Sequence, residues 1–463
     1  MTHYDFIVIG SGPAGQRAAI QAAKLGKRVA IVERKSEVGG VSLHTGTIPS
    51  KTLRESVLHL SGWRLRGFYG DSYRVKEDIT AEDILRRLHV TLAHEMEIMK
   101  HQLNRNGVKV LDGHARFVDE HSISVTCADG SERHYSAECF LVAVGTRPHR
   151  PDHIPFDGET ILDSDDILRI KRLPRSMIVV GAGVIGLEYA TIFSALDIEI
   201  TLVDAQESLL GFLDREIVDE LLYVMRDRNM TVLLGETVVD IETIEHKRVV
   251  TRLASGKRVC SDMALFAAGR QGATDQLGID KAGLVADKRG RLAVNENFQT
   301  QRDHIYAAGD VIGFPSLAST SMEQGRLAAC HAFGLDCHSR QETFPFGIYA
   351  VPEISTVGAT EQELKQRQIP YEVGLVRMRE TARGQIMGIR QGMLKMLFGI
   401  EDQRLLGVHI IGIGATEAIH IGQAVMSLGG TLDYFVDSVF NYPTLAEAYK
   451  VAALDAWNKL TLS

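Results

Sequence analysis

Two glycine-rich motifs in this 463-residue chain have the residue types and spacing of loops that bind dinucleotides. The first reads Gly10-Ser11-Gly12-Pro13-Ala14-Gly15 and the second reads Gly181-Ala182-Gly183-Val184-Ile185-Gly186. In such loops the first glycine permits a tight turn, the second lets backbone approach a pyrophosphate, and the third lets a helix pack on its strand. Glu33 and Asp204 follow at about twenty residues, where a carboxylate can accept hydrogen bonds from ribose hydroxyls. Two motifs with two acids predict two dinucleotide sites.

Each motif stands where a strand should end and a helix should begin. Residues 4–9 form an apolar run before the first motif, and residues 16–25 carry alanine and aliphatic side chains at helical spacing after it. Residues 177–180 and 187–196 repeat this arrangement around the second motif. Because a helix N-terminus presents free amides to a pyrophosphate, the repeat implies two separate dinucleotide-binding halves.

The rest of the chain indicates how these halves are arranged. Arg147-Pro148-His149-Arg150-Pro151 predicts a linker, because two prolines disfavour both a helix and a sheet ladder. Residues 76–106 are expected to form helices inserted in the first domain. A strand near residues 304–310 is expected to return the chain to that domain. We predict an α/β fold with two Rossmann-like domains and a C-terminal α+β domain. The predicted bounds are 1–150 with 271–343, then 151–270, and finally 344–463.

Composition argues against several classes of protein. The chain is 45% hydrophobic and 24% charged, with a formal net charge of −8 and no basic block, so a nucleic-acid partner is not expected. No apolar run is long enough for a bilayer, and the N-terminus lacks the features of a signal peptide, so a cytoplasmic location is expected. Histidine and acidic residues lack ligand spacing, and the five cysteines include no C-x-x-C pair. We therefore predict no metal site and interpret the cysteines as reduced thiols without a redox role.

Further motifs extend a resemblance over nearly the whole chain. Gly39 to Lys51, Gly113-His114-Ala115 and Gly309-Asp310, together with both glycine motifs, resemble the flavoprotein pyridine nucleotide-disulfide oxidoreductases, such as dihydrolipoamide dehydrogenase and glutathione reductase. The resemblance implies non-covalent FAD at the first motif and NAD(H) or NADP(H) at the second. It also implies a homodimer formed through the C-terminal domain, and it leaves open whether the dimers assemble into larger homo-oligomers.

The resemblance also implies which residues form the sites. Lys51 matches the family lysine beside flavin N5, and Glu188 matches the carboxylate that pairs with it; both are the predicted catalytic residues. The implied FAD contacts are Gly10, Gly12, Pro13, Ala14, Gly15, Glu33, Arg34, Gly39, Gly40, Val41, Ser42, Thr47, Lys51, His114, Ala115, Gly145 and Asp310. The implied nicotinamide dinucleotide contacts are Gly181, Gly183, Val184, Ile185, Gly186, Asp204 and Gly269.

Three residues depart from the disulfide reductases of this family. Ser42 and Thr47 stand where those enzymes carry two redox cysteines, and Tyr442 stands where they carry a proton-relay histidine. A hydroxyl cannot form a disulfide, so thiol–disulfide exchange is excluded at this place. Within the family the signatures are most similar to those of the soluble, Si-specific pyridine nucleotide transhydrogenases. That resemblance implies reversible hydride transfer from NADPH through FAD to NAD⁺.

Other functions remain open at this stage. The chain could be an NAD(P)H diaphorase or quinone reductase, or a dihydrolipoamide-dehydrogenase-like flavoprotein. A non-enzymatic flavin-binding regulatory subunit would need a defective nicotinamide site, whereas the second motif is intact. Coenzyme preference is also open, because Asp204 is typical of NAD sites and Ala205-Gln206 offer no arginine for a 2′-phosphate. Arg215 or Arg270 could supply one from elsewhere.

Overall fold

The computed structural model describes residues 2–337 and 343–462, and their strands and helices form an α/β fold. The strands are β1 (Thr2–Ile9), β2 (Val29–Glu33), β3 (Lys109–Asp112), β4 (His114–Asp119), β5 (Ser122–Thr126), β6 (Glu132–Val142), β7 (Thr146–Pro148), β8 (Ile161–Asp163), β9 (Ser176–Val180), β10 (Glu199–Asp204), β11 (Thr231–Leu234), β12 (Val238–Ile244), β13 (Arg248–Leu253), β14 (Arg258–Ser261), β15 (Met263–Phe266), β16 (Arg270–Gly272), β17 (Ile305–Ala307), β18 (Phe346–Ile348), β19 (Ile354–Gly358), β20 (Tyr371–Arg377), β21 (Met393–Gly399) and β22 (Leu405–Ile411). The α-helices are α1 (Pro13–Lys24), α2 (Gly40–His44), α3 (Thr47–Leu60), α4 (Arg66–Tyr69), α5 (Ala81–Arg105), α6 (Val184–Ser194), α7 (Arg215–Asp227), α8 (Ala318–Ala332), α9 (Glu361–Gln366), α10 (Ala382–Ile386), α11 (Ala415–Ser427), α12 (Leu432–Asp437) and α13 (Glu447–Leu462).

The first compact unit comprises Met1–Thr52, Arg86–His149 and Gly269–Ser339. Its seven-stranded sheet has the order β3-β2-β1-β6-β5-β4. The seventh strand, β17, also pairs with β6, in parallel. β1 lies parallel to both β2 and β6, and its apolar residues are buried on both faces, as is usual for a central parallel strand. On one face α1 packs closely on α8, where a Cβ on Gly325 would lie 2.0 Å from the Ala14 carbonyl oxygen. Small residues therefore set the spacing of the two helices.

The second compact unit comprises Leu53–Leu85, Arg150–Ala268 and Arg340–Ser463. Its parallel sheet has the order β11-β10-β9-β15-β8, beside an antiparallel sheet β12-β13-β14. The C-terminal part forms an antiparallel sheet of order β18-β19-β22-β21-β20, whose buried face packs with α11 and α13 around one apolar core. Within the described residues, no helix combines the length and apolar character needed to cross a bilayer.

The predicted α/β class and both strand, glycine-turn, helix units are confirmed. The three-domain division stays a prediction, because contacts group the chain into two units and place residues 53–85 with the second. Residues 338–342, close to the predicted end of the first domain at residue 343, lie outside the described residues. The linker at residues 147–151 stays a prediction, and the boundary between the two units falls within it, after His149. Its premise was wrong for Pro148, because β7 pairs antiparallel with β16 and Pro148 lies opposite Arg270. Proline is tolerated there because it is the last residue of a short edge strand.

Candidate functional site

The first glycine motif forms a tight turn between β1 and α1. Gly10 has a φ of +103°, and a Cβ there would lie 2.4 Å from the Ala143 carbonyl oxygen. A Cβ on Gly15 would lie only 1.9 Å from the Gly10 carbonyl oxygen. Both positions therefore require glycine, Gly10 for its conformation and Gly15 for the close approach of α1 to the turn.

Gly12 differs from these glycines because the space beside it is open. Its backbone is extended, with φ −66° and ψ −175°, and a Cβ there would meet only the Gly40 Cα at 3.9 Å. Gly39 and Gly40 have φ of +127° and +59°, and a Cβ on Gly40 would lie 2.7 Å from the Gly12 Cα. Pro13 is the first residue of α1, whose N-terminal amides have no partner within the helix. Two backbone segments thus line a space of the kind that a pyrophosphate fills.

Ser11 connects three segments around this space. Its amide and hydroxyl donate to Glu33 Oε2 at 3.1 and 2.5 Å, and its Oγ accepts the Gly39 amide at 2.8 Å. The Lys35 amide donates to Glu33 Oε1 at 2.9 Å. The buried carboxylate is therefore fixed at the strand end, and it keeps acceptor capacity for ribose hydroxyls because a carboxylate offers about four acceptor sites. Ser11 was not among the predicted contacts, because its only signal in the sequence is its place between two glycines.

The segment with the predicted FAD contacts His114 and Ala115 begins beside Glu33. The Gly113 amide donates to the Glu33 carbonyl oxygen at 2.8 Å, and a Cβ on Gly113 would lie 2.6 Å from a backbone oxygen of β5. His114 is half-buried and Ala115 is buried at the start of β4. Arg34 is exposed. The structure thus brings Glu33 and His114-Ala115 together at one edge of the sheet.

Asp310 lies at the end of β17 in the same unit. Gly309 has a φ of +82° and its amide donates to Gln324 Oε1 on α8 at 2.9 Å, which fixes the turn before Asp310. Burial raises the pKa of Asp310, and the Arg270 charge and the Thr146 hydroxyl oppose that shift. Arg270 Nε donates to Thr146 Oγ1 at 2.8 Å, and Thr146 Oγ1 donates to Asp310 Oδ2 at 3.4 Å. Asp310 is therefore oriented by a short chain of donors.

Gly145 and Gly269 adopt backbone conformations that favour glycine. Their φ angles are +64° and +109°, and no described atom lies within 4 Å of a Cβ built on either residue. Both belong to the first compact unit, although Gly269 was predicted to contact the nicotinamide dinucleotide. The ligand contacts of both residues stay predictions.

The segment that resembles a redox site spans the short helix α2 and the start of α3. Val41 and Ser42 lie in α2, and Ser42 Oγ donates to the carbonyl oxygen of the N-cap residue of that helix at 3.2 Å. Thr47 is exposed at the start of α3, and Lys51 lies in the following turn. Lys51 Nζ donates to Ser50 Oγ at 3.2 Å. Ser42, Thr47 and Lys51 all belong to the first compact unit, together with the first glycine motif.

The second glycine motif has nearly the same backbone conformation and close contacts as the first. Gly181 has a φ of +101°, and a Cβ on Gly186 would lie 1.8 Å from the Gly181 carbonyl oxygen. Gly183 is extended, with φ −66° and ψ 178°, and no atom of the described residues lies within 4 Å of a Cβ built there. Val184 and Ile185 form the first turn of α6 and are half-buried. This helix N-terminus therefore also has open space for an anionic group.

Asp204 has the same relation to its motif as Glu33 has to the first. The Ala182 amide donates to Asp204 Oδ2, and the Gln206 amide donates to Asp204 Oδ1 at 2.7 Å. Glu33 accepts the two backbone amides at the corresponding places. The second loop has Ala182 in place of Ser11, and it has no counterpart among the described residues to Gly40, which lies beside Gly12 in the first loop. This shared geometry indicates that both loops hold the same class of ligand.

Glu188 lies nearly fully buried in α6, within the second unit. Its Oε1 accepts the Tyr349 amide at 2.8 Å, and Thr191 Oγ1 accepts the Val351 amide at 3.0 Å. Arg54 Nε donates to the intervening carbonyl oxygen at 3.1 Å. Glu188 and Thr191 therefore hold the backbone between β18 and β19 against α6, and Arg54 on α3 binds the same segment. The sequence could not show this contact, because Glu188 and Tyr349 are 161 residues apart.

Tyr442 lies in the stretch between α12 and α13 and is 77% exposed. Glu447 is buried at the start of α13, where its Oε1 accepts the Arg383 amide at 3.3 Å. Its Oε2 has no hydrogen-bond partner among the described residues. The chain thus presents a phenol where the resembling reductases carry an imidazole.

A buried lysine forms ion pairs with three carboxylates in the second unit. Lys395 Nζ lies 2.9 Å from Asp214 Oδ1 and 2.6 Å from Glu216 Oε2, and it also pairs with Glu361. The three carboxylates are close enough to share a cation, but the lysine ammonium already supplies the positive charge at their centre. The prediction of no metal site stays a prediction. The cluster itself was missed because its members come from three distant segments.

Comparison with known proteins assigns the family. The model for "Pyridine nucleotide-disulphide oxidoreductase" matches residues 4–325, and the model for the dimerisation domain of the same family matches residues 344–453. The first match covers both glycine motifs and Asp310. The second begins shortly before β18 and ends within α13.

Individual relatives agree with this assignment along the full chain. A protein of Mycobacterium tuberculosis (strain ATCC 25177 / H37Ra) named soluble pyridine nucleotide transhydrogenase is 54% identical, covering 99% of this chain and 98% of that protein. A protein of the same name from Escherichia coli (strain SMS-3-5 / SECEC) is 44% identical with the same coverage. The crystal structure of LpdA from Mycobacterium tuberculosis has a TM-score of 0.89 at 26% identity, covering 98% of this chain and 99% of that one. The chain therefore belongs to the pyridine nucleotide-disulphide oxidoreductase family.

Proposed function

We propose that this protein is a soluble pyridine nucleotide transhydrogenase that transfers hydride reversibly from NADPH through FAD to NAD⁺ without a redox disulfide. One observation carries the proposal: the chain has two equivalent dinucleotide loops, but hydroxyls at Ser42 and Thr47 in place of two thiols. The names of the relatives with 44–54% identity over the full chain support it.

The residues of the first unit fit FAD. Gly12 and Gly40 leave the space that a pyrophosphate needs, and a side chain at Gly12 would fill it. Glu33, fixed by Ser11, would accept the adenosine ribose hydroxyls, and Asp310 would accept hydrogen bonds from the rest of the dinucleotide. FAD would supply an acceptor and donor of two electrons as hydride. Lys51 would place a positive charge beside it and so favour its anionic reduced form.

The residues of the second unit fit a nicotinamide dinucleotide. The open space beside Gly183 would take a pyrophosphate at the N-terminus of α6, and Asp204 would accept hydrogen bonds from the adenosine ribose. We propose that NAD(H) and NADP(H) use this loop in turn, since one loop of this kind belongs to the unit. Asp204 and the exposed Glu207 favour NAD(H) electrostatically, because they repel a 2′-phosphate.

The proposal includes a homodimer formed through the C-terminal part of the chain. Residues 344–453 match the dimerisation-domain model of the family. Large apolar side chains are exposed there, including Val439 at 95% and Tyr442 at 77%. Such exposure is typical of surfaces that a partner covers. Higher oligomers and a cytoplasmic location are further parts of the proposal.

Transhydrogenation should be measurable directly. The purified protein is expected to contain FAD and to transfer hydride from NADPH to thio-NAD⁺, with parallel lines in double-reciprocal plots because the first product leaves before the second substrate binds. Anaerobic stopped-flow absorbance should show reduction by NADPH and then rapid reoxidation by NAD⁺. A reoxidation by NAD⁺ no faster than by dissolved oxygen would favour the diaphorase alternative instead.

Restoring the two thiols should introduce a new spectroscopic signature. The Ser42→Cys/Thr47→Cys variant is expected to form a disulfide and, on two-electron reduction, to show a thiolate-to-flavin charge-transfer band that the natural protein lacks. Its turnover of disulfide substrates should remain weak, because Tyr442 replaces the proton-relay histidine, and adding Tyr442→His should raise it. The single Ser42→Cys variant is the matched control, since one thiol cannot form the bond. A charge-transfer band in the natural protein would contradict the proposal.

A further inference from the structure

Two cysteines meet at the carboxyl end of α8 in the first compact unit. Cys330 is fully buried in the last turn of the helix, and Cys337 is half-buried beyond its end. The two Sγ atoms lie 2.6 Å apart, although both residues are free cysteines in the structure. This separation is about half an ångström longer than a disulfide bond of ~2.05 Å. The pair therefore lies within reach of covalent bonding.

The end of α8 folds the chain back so that the second sulfur reaches the first. Gly334 has a φ of +67°, and its amide donates to the His331 carbonyl oxygen at 3.2 Å. The Leu335 amide donates to the Cys330 carbonyl oxygen at 2.9 Å. These bonds form a left-handed glycine cap, a common way to end a helix. This cap turns the backbone back toward Cys330, so the position of Cys337 is set by the backbone.

A positive charge lies beside the two sulfurs. Arg326 Nη1 is 3.9 Å from Cys330 Sγ, one helical turn earlier on α8. Its guanidinium group is held by Glu323 through two hydrogen bonds of 2.6 and 2.9 Å. A fixed cation near a thiol favours formation of the reactive thiolate. The same guanidinium group also interacts with Cys337, so a cation lies beside the thiol that is proposed to be oxidised.

The two cysteines have different access to solvent and so different chemical roles. Burial raises the pKa of the Cys330 thiol to about 12, with a further contribution from the neighbouring Cys337. Cys330 therefore stays protonated and is shielded from an oxidant in solution. Cys337 is the accessible sulfur of the pair. Cys330 Sγ lies 2.6 Å from Cys337 Sγ and is therefore placed to attack that sulfur once Cys337 is oxidised.

We propose that Cys330 and Cys337 form a redox-active pair, which hydroperoxides convert to an intramolecular disulfide. The Cys337 thiolate attacks a peroxide oxygen, the O–O bond breaks, and the products are a sulfenic acid and, after protonation, water or an alcohol. The Cys330 sulfur then attacks the sulfenic sulfur, its proton leaves with the hydroxyl group as water, and the S–S bond forms. The two thiols lose two electrons in total and the peroxide gains them.

The bond would fix the end of a helix that supports the first dinucleotide loop. α8 packs on Ala14 of that loop, where a Cβ on Gly325 would lie 2.0 Å from the Ala14 carbonyl oxygen, and Gln324 on the same helix accepts the Gly309 amide. The disulfide would close the seven-residue segment after Cys330 and hold it to the last turn of α8. The proposal does not depend on the transhydrogenase activity, because it rests on the two sulfurs and Arg326 alone.

Peptide mapping of the complete holoprotein tests the proposal. Arg326 and Arg340 flank the pair, so trypsin releases both cysteines in one fragment, residues 327–340. The protein is treated with a small excess of hydrogen peroxide, denatured in iodoacetamide and digested without reductant. We expect this fragment to be lighter by two hydrogens and free of alkylation, whereas the untreated protein should give the doubly alkylated fragment. A doubly alkylated fragment after oxidation, or a disulfide from either cysteine to Cys260, would overturn the proposal.

Variants identify the order of attack. In Cys330→Ser the sulfenic acid on Cys337 has no second thiol, so dimedone labelling of Cys337 after peroxide should exceed that of the natural protein several-fold. Cys260→Ser, which removes an exposed cysteine elsewhere, should leave the disulfide yield unchanged. If Cys330→Ser does not fold, Cys337→Ser serves instead, and Cys330 should then resist dimedone. Strong labelling of Cys330 in that variant, or none of Cys337 in the first, would contradict the mechanism.

Discussion

Valine in place of Gly12 is expected to give a folded protein that has lost most of its FAD. The backbone at Gly12 is extended, so valine can adopt it, and a Cβ there would meet only one atom within 4 Å. The side chain would instead occupy the space left for a pyrophosphate. The displaced contacts should weaken binding by roughly tenfold or more, since each ~1.4 kcal/mol corresponds to a factor of ten. Flavin absorbance per mole of protein measures the loss.

The equivalent change in the second loop should have a different result. Gly183→Val is expected to leave a yellow protein that NADPH no longer reduces, because its open space belongs to the second unit. Gly211→Val is a suitable control, since Gly211 lies outside both loops and a Cβ there would meet only one side-chain atom at 3.9 Å. Anaerobic reduction followed at the flavin absorbance distinguishes the variants. Equal loss of FAD from both loop variants would show that the assignment of the two loops is wrong.

The same glycine motifs contain positions where substitution should prevent folding instead. A Cβ on Gly15 or Gly186 would lie within 2 Å of a backbone oxygen of its own turn, so neither helix could keep its place. The comparison separates a glycine needed for the ligand from one needed for the fold.

Local signals were sufficient to predict the two dinucleotide units. Strand, turn and helix follow one another within about thirty residues, so the apolar pattern and the glycine spacing report directly on the structure. Glu33 and Asp204 were also found this way, because each ends the strand that completes its unit. The structure adds that each acid accepts the amide of the residue after the first glycine of its motif.

Other features of the sites depend on contacts between distant segments, which no local pattern reports. Gly40 limits the space beside Gly12 only because α2 returns to the first loop. Pro148 pairs in a strand because Arg270, far along the chain, lies opposite it. Residues that gain their role from such contacts have ordinary neighbours in the sequence. Lys395 is the clearest case, because in the sequence it is a single residue within the apolar strand β21.

Loss of the Lys395 charge is expected to destabilise the second unit strongly. Lys395 is fully buried, and its partner Asp214 is also buried, caps α7 and accepts the Glu361 amide at 3.1 Å. Lys395→Met keeps a side chain of similar length but leaves a buried carboxylate without its cation. Breaking a buried pair in this way typically costs about 3–5 kcal/mol. Urea denaturation followed by circular dichroism should show a lower midpoint.

Lys365, which like Lys395 pairs with Glu361, provides the matched control. Lys365 lies 3.4 Å from Glu361, but its side chain is 67% exposed. Lys365→Met should change the denaturation midpoint little, because solvent screens exposed ion pairs. Equal effects of the two substitutions would mean that burial of Lys395 does not determine the stability of this cluster.

The effect of Lys395→Met should also depend on pH. Burial alone would raise the pKa of Glu361, but hydrogen bonds from Lys395 and Tyr371 lower it to about 2. A carboxyl whose pKa is lower in the folded state stabilises the protein above its unfolded pKa of about 4.5, and this stabilisation is lost as pH falls toward 2. In Lys395→Met the uncompensated carboxylates should instead bind protons readily. The difference in the free energy of unfolding between the natural protein and the variant should therefore be largest at neutral pH and smaller at about pH 4. A difference that grows on acidification would show that the lysine does not stabilise these carboxylates through its charge.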